Sequence, residues 1–245
     1  MCGYYGYFVN EWLSRPFPEA LPLESMGSYA EGHRYNRQRI EGHISRSSIG
    51  EGLEFSSPLW WYQLKKENCG DGKFRQIPDY RYTTFNARDL DSQYWKSAVN
   101  ERRGIVVASQ IGESRGKERF LMRAERPLLI ATVFKDWPLP EGRQERSCAL
   151  ITRDPLDGFA HFHPKSTPLF LPDDQAAIEL WLSDAPASNP AIQELLALQH
   201  LPCSFLVQPV ASYKDAKPRG EASLLSADGG ISLVSGSASG TRSLF

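Results

Sequence analysis

Four short apolar runs in the middle of the chain limit the folds open to it more than any other feature. Each is rich in β-branched or aromatic residues and is bounded by Gly, Pro or charged residues, which is typical of strands rather than long helices. The sequence therefore predicts a meander or a closed antiparallel sheet. The runs are GIVVAS (104–109), RFLMRA (119–124), LLIATVF (128–134) and CALITR (148–153).

Helical patterns follow these runs. The segment 168–184 carries two aspartates that can cap a helix and then an apolar face at helical spacing. Asn189 and Pro190 begin a second short helix within 186–201, since proline suits the first helical turn. A last strand is expected over 204–213. We therefore predict an α+β fold in which curved, barrel-like antiparallel sheets are flanked by short helices.

The length of 245 residues suits a single β-rich domain with a sizeable core. We place this domain at residues 1–217. The remaining segment, 218–245, is rich in Gly and Ser and buries little, so it is predicted to be a loosely ordered tail. Within it, Ile231, Leu233 and Val234 can add an edge strand.

Composition excludes several classes of protein. The net charge of −1 argues against a protein that coats nucleic acid, although residues 33–46 and 101–126 are each net +3 and offer local basic faces (four basic against one acidic residue, and seven against four). No run approaches the roughly 18 apolar residues of a membrane helix. No signal peptide is visible. We expect a cytoplasmic protein that has no membrane partner.

The cysteines suggest neither a metal site nor disulfides, because Cys2, Cys69, Cys148 and Cys203 lie far apart without a CxxC or a histidine at ligand spacing. Cys2 alone is chemically distinctive, since it follows the initiator methionine. Removal of that methionine would expose an α-amine (pKa about 7.7–8.0) and a thiol (pKa about 8.5) on one residue, both partly nucleophilic near neutral pH. The alternative is that position 2 has no special role.

Three further clusters of polar residues carry candidate chemistry. Asn86 and Arg88 lie two residues apart, so their side chains share a side of an extended segment. Glu113 ends an apolar run beside Gly112, where another backbone can approach closely. Two histidines in AHFHPKSTPLFL (160–171) precede an apolar strand. Each cluster alone also fits an ordinary turn or hydrogen-bonding loop.

In their order along the chain, these elements resemble the SRAP (SOS response-associated peptidase) family. The shared elements are Met-Cys-Gly, a Tyr-Asn pair, a Trp-bearing segment, Asn-Ala-Arg, an Arg-Arg pair leading to Gly-x-Glu, and a histidine before an apolar strand. The family's Asn-Ala-Arg to Arg-Arg pattern aligns with 86–114 and puts Glu113 on the family's glutamate. The later pattern aligns from Thr152 and selects His163 rather than His161.

The resemblance covers most of residues 1–215 and implies binding of abasic single-stranded DNA or single-strand/double-strand junctions. It implies that the α-amine of Cys2 forms a Schiff base with the ring-opened aldehyde and that the thiolate closes a thiazolidine. Glu113 and His163 would move protons, and Asn86 would hydrogen-bond the site or the lesion. The resemblance also implies a protein that is nucleoid-associated when bound to DNA. A monomer without metal or cofactor is expected.

The resemblance also implies DNA-contacting residues. Arg88 would bind a flanking phosphate, Asn36 would shape the pocket, and Arg37 lies in the basic stretch beside it. One ring of Trp60 and Trp61 would stack on a base or wedge a junction, and only one is available because neighbours on a strand face opposite ways. The alternative is that both rings belong to the core.

The chain departs from the family pattern at several positions, including Tyr4, where arginine is usual, and Ser114, where tryptophan is usual. Three functions stay open. The first is crosslinking to abasic sites in the DNA damage response, and the second is a thiol peptidase that uses Cys2, Glu113 and His163. The third is a binding module that keeps the nucleic-acid surface without catalysis.

Overall fold

The structure, a computed structural model, describes residues 4–7, 32–46 and 52–234. Cys2, the predicted nucleophile, lies outside these ranges. The described strands are β1 (Tyr4–Tyr7), β2 (Gly32–Tyr35), β3 (His43–Arg46), β4 (Leu53–Ser56), β5 (Leu64–Gly70), β6 (Lys73–Pro78), β7 (Asn86–Ala87), β8 (Arg103–Arg115), β9 (Glu118–Pro138), β10 (Gln144–Arg153), β11 (Thr167–Pro168), β12 (Phe170–Leu171), β13 (Phe205–Val210), β14 (Ser223–Leu225) and β15 (Ile231–Leu233). The described α-helices are α1 (Gln93–Glu101), α2 (Phe159–Phe162), α3 (Gln175–Trp181) and α4 (Pro190–Leu196).

One large sheet dominates the architecture. Its central path runs β15-β14-β13-β9-β8-β1-β2, and nearly all its ladders are antiparallel. The 21-residue β9 is the spine, because it pairs with β8, β10, β12 and β13 along its length. The α+β class is confirmed. The expected barrel is not: the described sheet stays open, since its end strands β15 and β2 do not pair with each other.

The sheet is buried on both faces. Along β8, Val106 and Ala108 enter one core cluster, whereas Ile105 and Val107 enter the cluster on the other face, as the alternation of side chains in a strand requires. Three helices, α1, α3 and α4, contribute buried residues to this second cluster. Because β8 is buried on both faces, its sequence contains a continuous apolar run rather than an alternation of apolar and polar residues.

The two predicted helices, α3 and α4, begin at their expected capping residues. The Asp174 carboxylate accepts a hydrogen bond from the Ala177 amide at 3.0 Å, and the Asn189 side chain accepts one from the Ala191 amide at 2.9 Å. No helix in the described ranges is long and apolar enough to cross a membrane.

The segment predicted as a loose tail contributes to the sheet. Strands β14 and β15 continue the sheet from β13, and Leu225 is fully buried in the main core. The prediction of loose order is therefore wrong for residues 223–233, because Leu225 completes the core. The predicted edge strand at Ile231 and Leu233 is present as β15.

Candidate functional site

Glu113 and His163 meet inside the protein. Glu113 lies near the end of β8, and His163 directly follows α2. His163 Nδ1 is 3.4 Å from Glu113 Oε2, and the two side chains are only 3% and 0% exposed. The fold thus brings two predicted site residues into contact although they are distant in the sequence.

The partners of His163 define its tautomer. Its Nδ1 lies 2.7 Å from the Ser114 carbonyl oxygen. Because a carbonyl only accepts hydrogen bonds, Nδ1 must carry the proton and Nε2 must carry the lone pair. Burial lowers the pKa of His163 below its ordinary value of 6.5, against the opposing effect of the bond to Ser114. In its neutral form the imidazole carries its lone pair on Nε2 and can accept a proton there.

Glu113 is held by the strand that begins the described chain and by a distant tyrosine. Tyr4 pairs with Gly112, the residue before Glu113. The Tyr213 hydroxyl donates to the Glu113 carbonyl oxygen at 2.6 Å, and the Tyr213 ring stacks on Tyr4 with ring centroids 5.0 Å apart. These contacts fix the backbone that carries the carboxylate.

Gly112 is required by this close packing. A Cβ built at this position would lie 2.8 Å from a Tyr4 ring carbon and 2.9 Å from a Tyr213 ring carbon. Real Cβ atoms are essentially never found that close to other heavy atoms. The close backbone approach expected at this glycine is therefore made by β1 and by the Tyr213 ring.

Asn86 and Arg88 are placed by β7 and the segment after it. β7 runs parallel to β10, with Asn86 opposite Leu150. The buried Asn86 Oδ1 and Nδ2 have no hydrogen-bond partner in the described part of the chain. Leaving such a group unpaired costs about 1–3 kcal/mol, and such groups are often found at binding sites. Arg88 pairs with Asp154 at 2.5 Å, and both side chains are exposed.

The predicted base contact by a tryptophan is wrong. Trp60 and Trp61 are 0% and 2% exposed, so neither ring has a free face. The Trp60 indole N–H donates to the Phe85 carbonyl at 2.9 Å, and that of Trp61 donates to the Asp79 carbonyl at 3.2 Å. Both rings are core residues because the loops on either side also pack against them.

Asn36 and Arg37 lie in the turn after β2. Asn36 is half-buried, whereas Arg37 is exposed and has a positive φ of 77°. Since Tyr35 pairs with Tyr4, this turn adjoins the start of β1. Arg37 lies over the rings of Trp61 and Tyr80.

Sequence reasoning missed two residues of the site. Tyr213 reaches the Glu113 carbonyl from a loop after β13, and the Ser114 carbonyl orients His163. Neither has a local signal, because a main-chain acceptor is present at every residue and Tyr213 ends an ordinary strand-like run. No group of three or more His, Cys, Asp or Glu side chains within the described ranges could hold a metal ion.

Comparison with known proteins bears on this site. The model of the family described as SOS response associated peptidase (SRAP) matches residues 70–213, which is more than half of the chain. The match includes Asn86, Glu113 and His163. No similar sequence was found among curated proteins.

Three of the solved structures with similar folds come from two bacteria. A protein from Bacteroides thetaiotaomicron has a TM-score of 0.58 at 14% identity, over 86% of this chain and 93% of its own. A Bordetella bronchiseptica protein has a TM-score of 0.58 at 18% identity, over 86% and 100%. A phage-related protein from B. bronchiseptica has a TM-score of 0.57 at 20% identity, over 89% and 100%. At these identities the likeness concerns the fold alone.

Proposed function

The chain belongs to the SRAP family of DNA-damage-associated proteins, and from this premise we propose that it binds single-stranded or junction DNA and links Cys2 covalently to an abasic site. The crosslink would shield the lesion from strand cleavage. The ligand is the ring-opened sugar, whose aldehyde is an electrophile that intact DNA lacks.

The observation that carries the proposal is the register of β1 against β8. Tyr4 lies opposite Gly112, next to Glu113, and covalent geometry limits the Cα atoms of Cys2 and Tyr4 to a separation of about 7 Å. We propose that the residue at position 2 approaches the buried carboxylate and imidazole during the reaction. A nucleophile there would have proton-transfer groups within reach.

The proposed reaction has two bond-forming steps. The α-amine of Cys2, freed by removal of Met1, adds to the aldehyde carbon, and loss of one water gives an imine. The thiol sulfur then adds to the imine carbon, and its proton passes to the nitrogen to give a five-membered thiazolidine. The second step is intramolecular, so proximity favours it over hydrolysis of the imine.

Each buried residue has a role suited to its contacts. The Glu113 carboxylate would take the proton from the attacking amine and return it to the departing hydroxyl as water leaves. His163 would exchange protons through Nε2, since Nδ1 is occupied by Ser114. The side-chain amide of Asn86 would hydrogen-bond the opened sugar, which would satisfy its two unpaired polar atoms.

The test is adduct formation by purified protein with a single-stranded oligonucleotide that carries one uracil converted to an abasic site. Intact-mass analysis first establishes that Met1 is absent. We expect a heat-stable adduct from the native chain, a reducible imine at most from Cys2→Ser, and no change from Cys69→Ser, which alters an exposed cysteine elsewhere. An undiminished heat-stable adduct with Cys2→Ser would rule out ring closure.

Two other outcomes point to the remaining functions. Cleavage of peptides without an adduct, lost in Cys2→Ala, would indicate a thiol peptidase. Salt-sensitive binding to the oligonucleotide without an adduct would indicate a binding module.

A further inference from the structure

Exposed aromatic rings cluster on one part of the surface. Large apolar side chains are normally buried, yet Tyr80, Tyr82 and Tyr94 are 57%, 51% and 43% exposed. Within the described residues only Ile231 and Leu233, on β15, are comparably exposed large apolar side chains. We call Tyr80, Tyr82, Tyr94 and the neighbouring Arg37 the tyrosine surface.

Cations lie against the rings of this surface. The Arg37 guanidinium is 4.7 Å from the Tyr80 ring centroid, and the Arg81 guanidinium is 5.7 Å from that of Tyr82. Arg81 is neutralised by a two-pronged bond to Asp79, whereas no ion pair of Arg37 occurs among the described residues. Arg37 therefore offers both a positive charge and a flat face.

The surroundings of the tyrosine surface are also basic. The β5–β6 hairpin forms its own two-stranded sheet and leads directly into this surface. Residues 64–82 carry five basic and three acidic side chains, which is net +2 in a chain whose total is −1. The Lys65 ammonium at the base of the hairpin is close enough to Asp79 to help lower the pKa of that carboxyl, after the larger effect of the hydrogen bond from Arg81.

Contacts between aromatic rings connect the tyrosine surface to the segment that carries Asn86. The Tyr80 ring packs edge-on against Trp61 with centroids 5.4 Å apart, and Trp61 packs on Phe85 at 5.5 Å. Asn86 is the residue after Phe85. Two ring contacts therefore connect Tyr80 to the residue before Asn86.

We propose that the tyrosine surface binds single-stranded nucleic acid, with bases stacked on Tyr80 and Tyr82 and a phosphate held by Arg37. Exposed rings beside a cation such as Arg37 are the features that bind unpaired strands, because every base has a face to stack, whereas the bases of a duplex are already stacked on each other. The inference rests on the proposed function for its ligand. It adds a second binding region that needs neither Cys2 nor a lesion.

The test uses intact oligothymidylate that carries one 2-aminopurine, whose fluorescence falls when the base stacks. For the full chain we expect quenching on binding. The double variant Tyr80→Leu, Tyr82→Leu should bind at least tenfold more weakly and lose the quenching, since it removes both rings on which bases would stack. Tyr80→Phe, Tyr82→Phe keeps the rings and should retain both, and Leu233→Ala, an exposed position on β15, should behave as the native chain.

The outcomes separate this inference from the proposed function. Unchanged affinity and quenching in the double leucine variant, with folding verified by circular dichroism, would overturn the inference. Equal affinity for a duplex of the same length would overturn it as well. If Cys2→Ala loses the adduct on abasic DNA but still binds and quenches intact oligothymidylate, both proposals stand. If the native chain quenches on intact oligothymidylate but forms no adduct on abasic DNA, this inference is supported and the crosslinking proposal is contradicted.

Discussion

Two histidines are buried within the described residues, His43 and His163, and only His163 belongs to the candidate site. His43 on β3 is 0% exposed and lies between two hydroxyls, Ser56 Oγ at 3.0 Å from Nδ1 and Thr132 Oγ1 at 3.1 Å from Nε2. His163 is almost as buried, but its neighbours are the Ser114 carbonyl and the Glu113 carboxylate. Burial alone does not distinguish them, whereas their partners do.

The difference shows what a buried imidazole needs for the proton transfer that we propose for His163. Both ring nitrogens of His43 are used by uncharged groups, and burial together with the Arg146 charge lowers its pKa to about 3. It is a neutral packing residue, and Gly104 leaves room for it, since a Cβ there would lie 2.5 Å from His43 Nε2. His163 instead has a carboxylate beside its ring, which is the pairing that proton transfer needs.

The largest expected effect is on stability in acid, through His43. The folded state binds fewer protons than the unfolded state between the unfolded pKa of 6.5 and the folded pKa of about 3. This contribution to the free energy of unfolding is complete above pH 6.5 and is lost as the pH falls to 3. The loss amounts to about 1.4 kcal/mol per pH unit, or about 5 kcal/mol in total. Urea unfolding across this range measures it.

The variant His43→Gln isolates this effect, because glutamine cannot titrate. Its free energy of unfolding should be lower near pH 7 but should fall less steeply towards acid. His161→Gln, at an exposed position, is the matched control and should keep the native slope. If His43→Gln shows the native slope, the acid sensitivity does not arise from His43.

The second expected effect is on the rate of adduct formation. Glu113→Gln and His163→Gln should each slow the heat-stable adduct by about 100-fold, since a general acid or base contributes at least that factor. Affinity for the oligonucleotide should be largely retained. Single-turnover crosslinking and binding measurements on the same variants check both quantities.

His43→Gln is also the control for this pair, because the same substitution is made at the other buried histidine. It should crosslink at the native rate under conditions in which it is folded. A loss of DNA affinity in Glu113→Gln, rather than of rate, would recast Glu113 as a structural residue.

A smaller effect is expected from Tyr213→Phe, which keeps the ring on Tyr4 but removes the bond to the Glu113 carbonyl. One hydrogen bond of this kind contributes about 1 kcal/mol, so crosslinking should slow by about fivefold, with the rate's pH profile shifted because the carboxylate is less well placed. A native rate and profile would limit Tyr213 to packing. Crosslinking rates measured across pH decide between the two.

The smallest effect is expected from Arg88→Ala. Its exposed pair with Asp154 contributes little to stability, so the folded state should be unchanged. Binding to single-stranded DNA should weaken modestly for every sequence. The slope of log affinity against log salt concentration should decrease by the amount expected for about one phosphate contact. Asp154→Ala is the matched control: removal of this competing carboxylate should leave binding unweakened. An unchanged salt slope in Arg88→Ala would exclude the phosphate contact.

Local signals predicted much of the fold. The side chains of Asp174 and Asn189 accept hydrogen bonds from amides in the first turn of the helix that follows them. Both helix starts could therefore be predicted from the sequence. The runs 119–124 and 128–134 could not be recognised as the single strand β9, because both runs pair with the same strand β8 on either side of Pro127, and that pairing is a tertiary feature. The short helix α1 was likewise absent from the predictions.

The candidate site was partly predictable. The resemblance to the SRAP family selected Glu113 and His163 as a pair, and the fold brings them together. The tryptophan prediction failed because burial of Trp60 and Trp61 depends on loops such as the one that carries Phe85, which no local pattern encodes. The exposed Tyr80 and Tyr82 were not singled out for the same reason.

The sequence by itself determined the strand-rich composition, the helix caps and the residue types on which proton transfer depends, since these follow from neighbours along the chain. Only the tertiary structure decided that Tyr4 pairs beside Glu113, that Tyr213 holds its carbonyl, and that His43 and His163 have different partners. Those contacts join residues far apart in the chain, and the register of the long strand β9 against its neighbours sets which of them meet. The chemistry of a buried group depends on those neighbours.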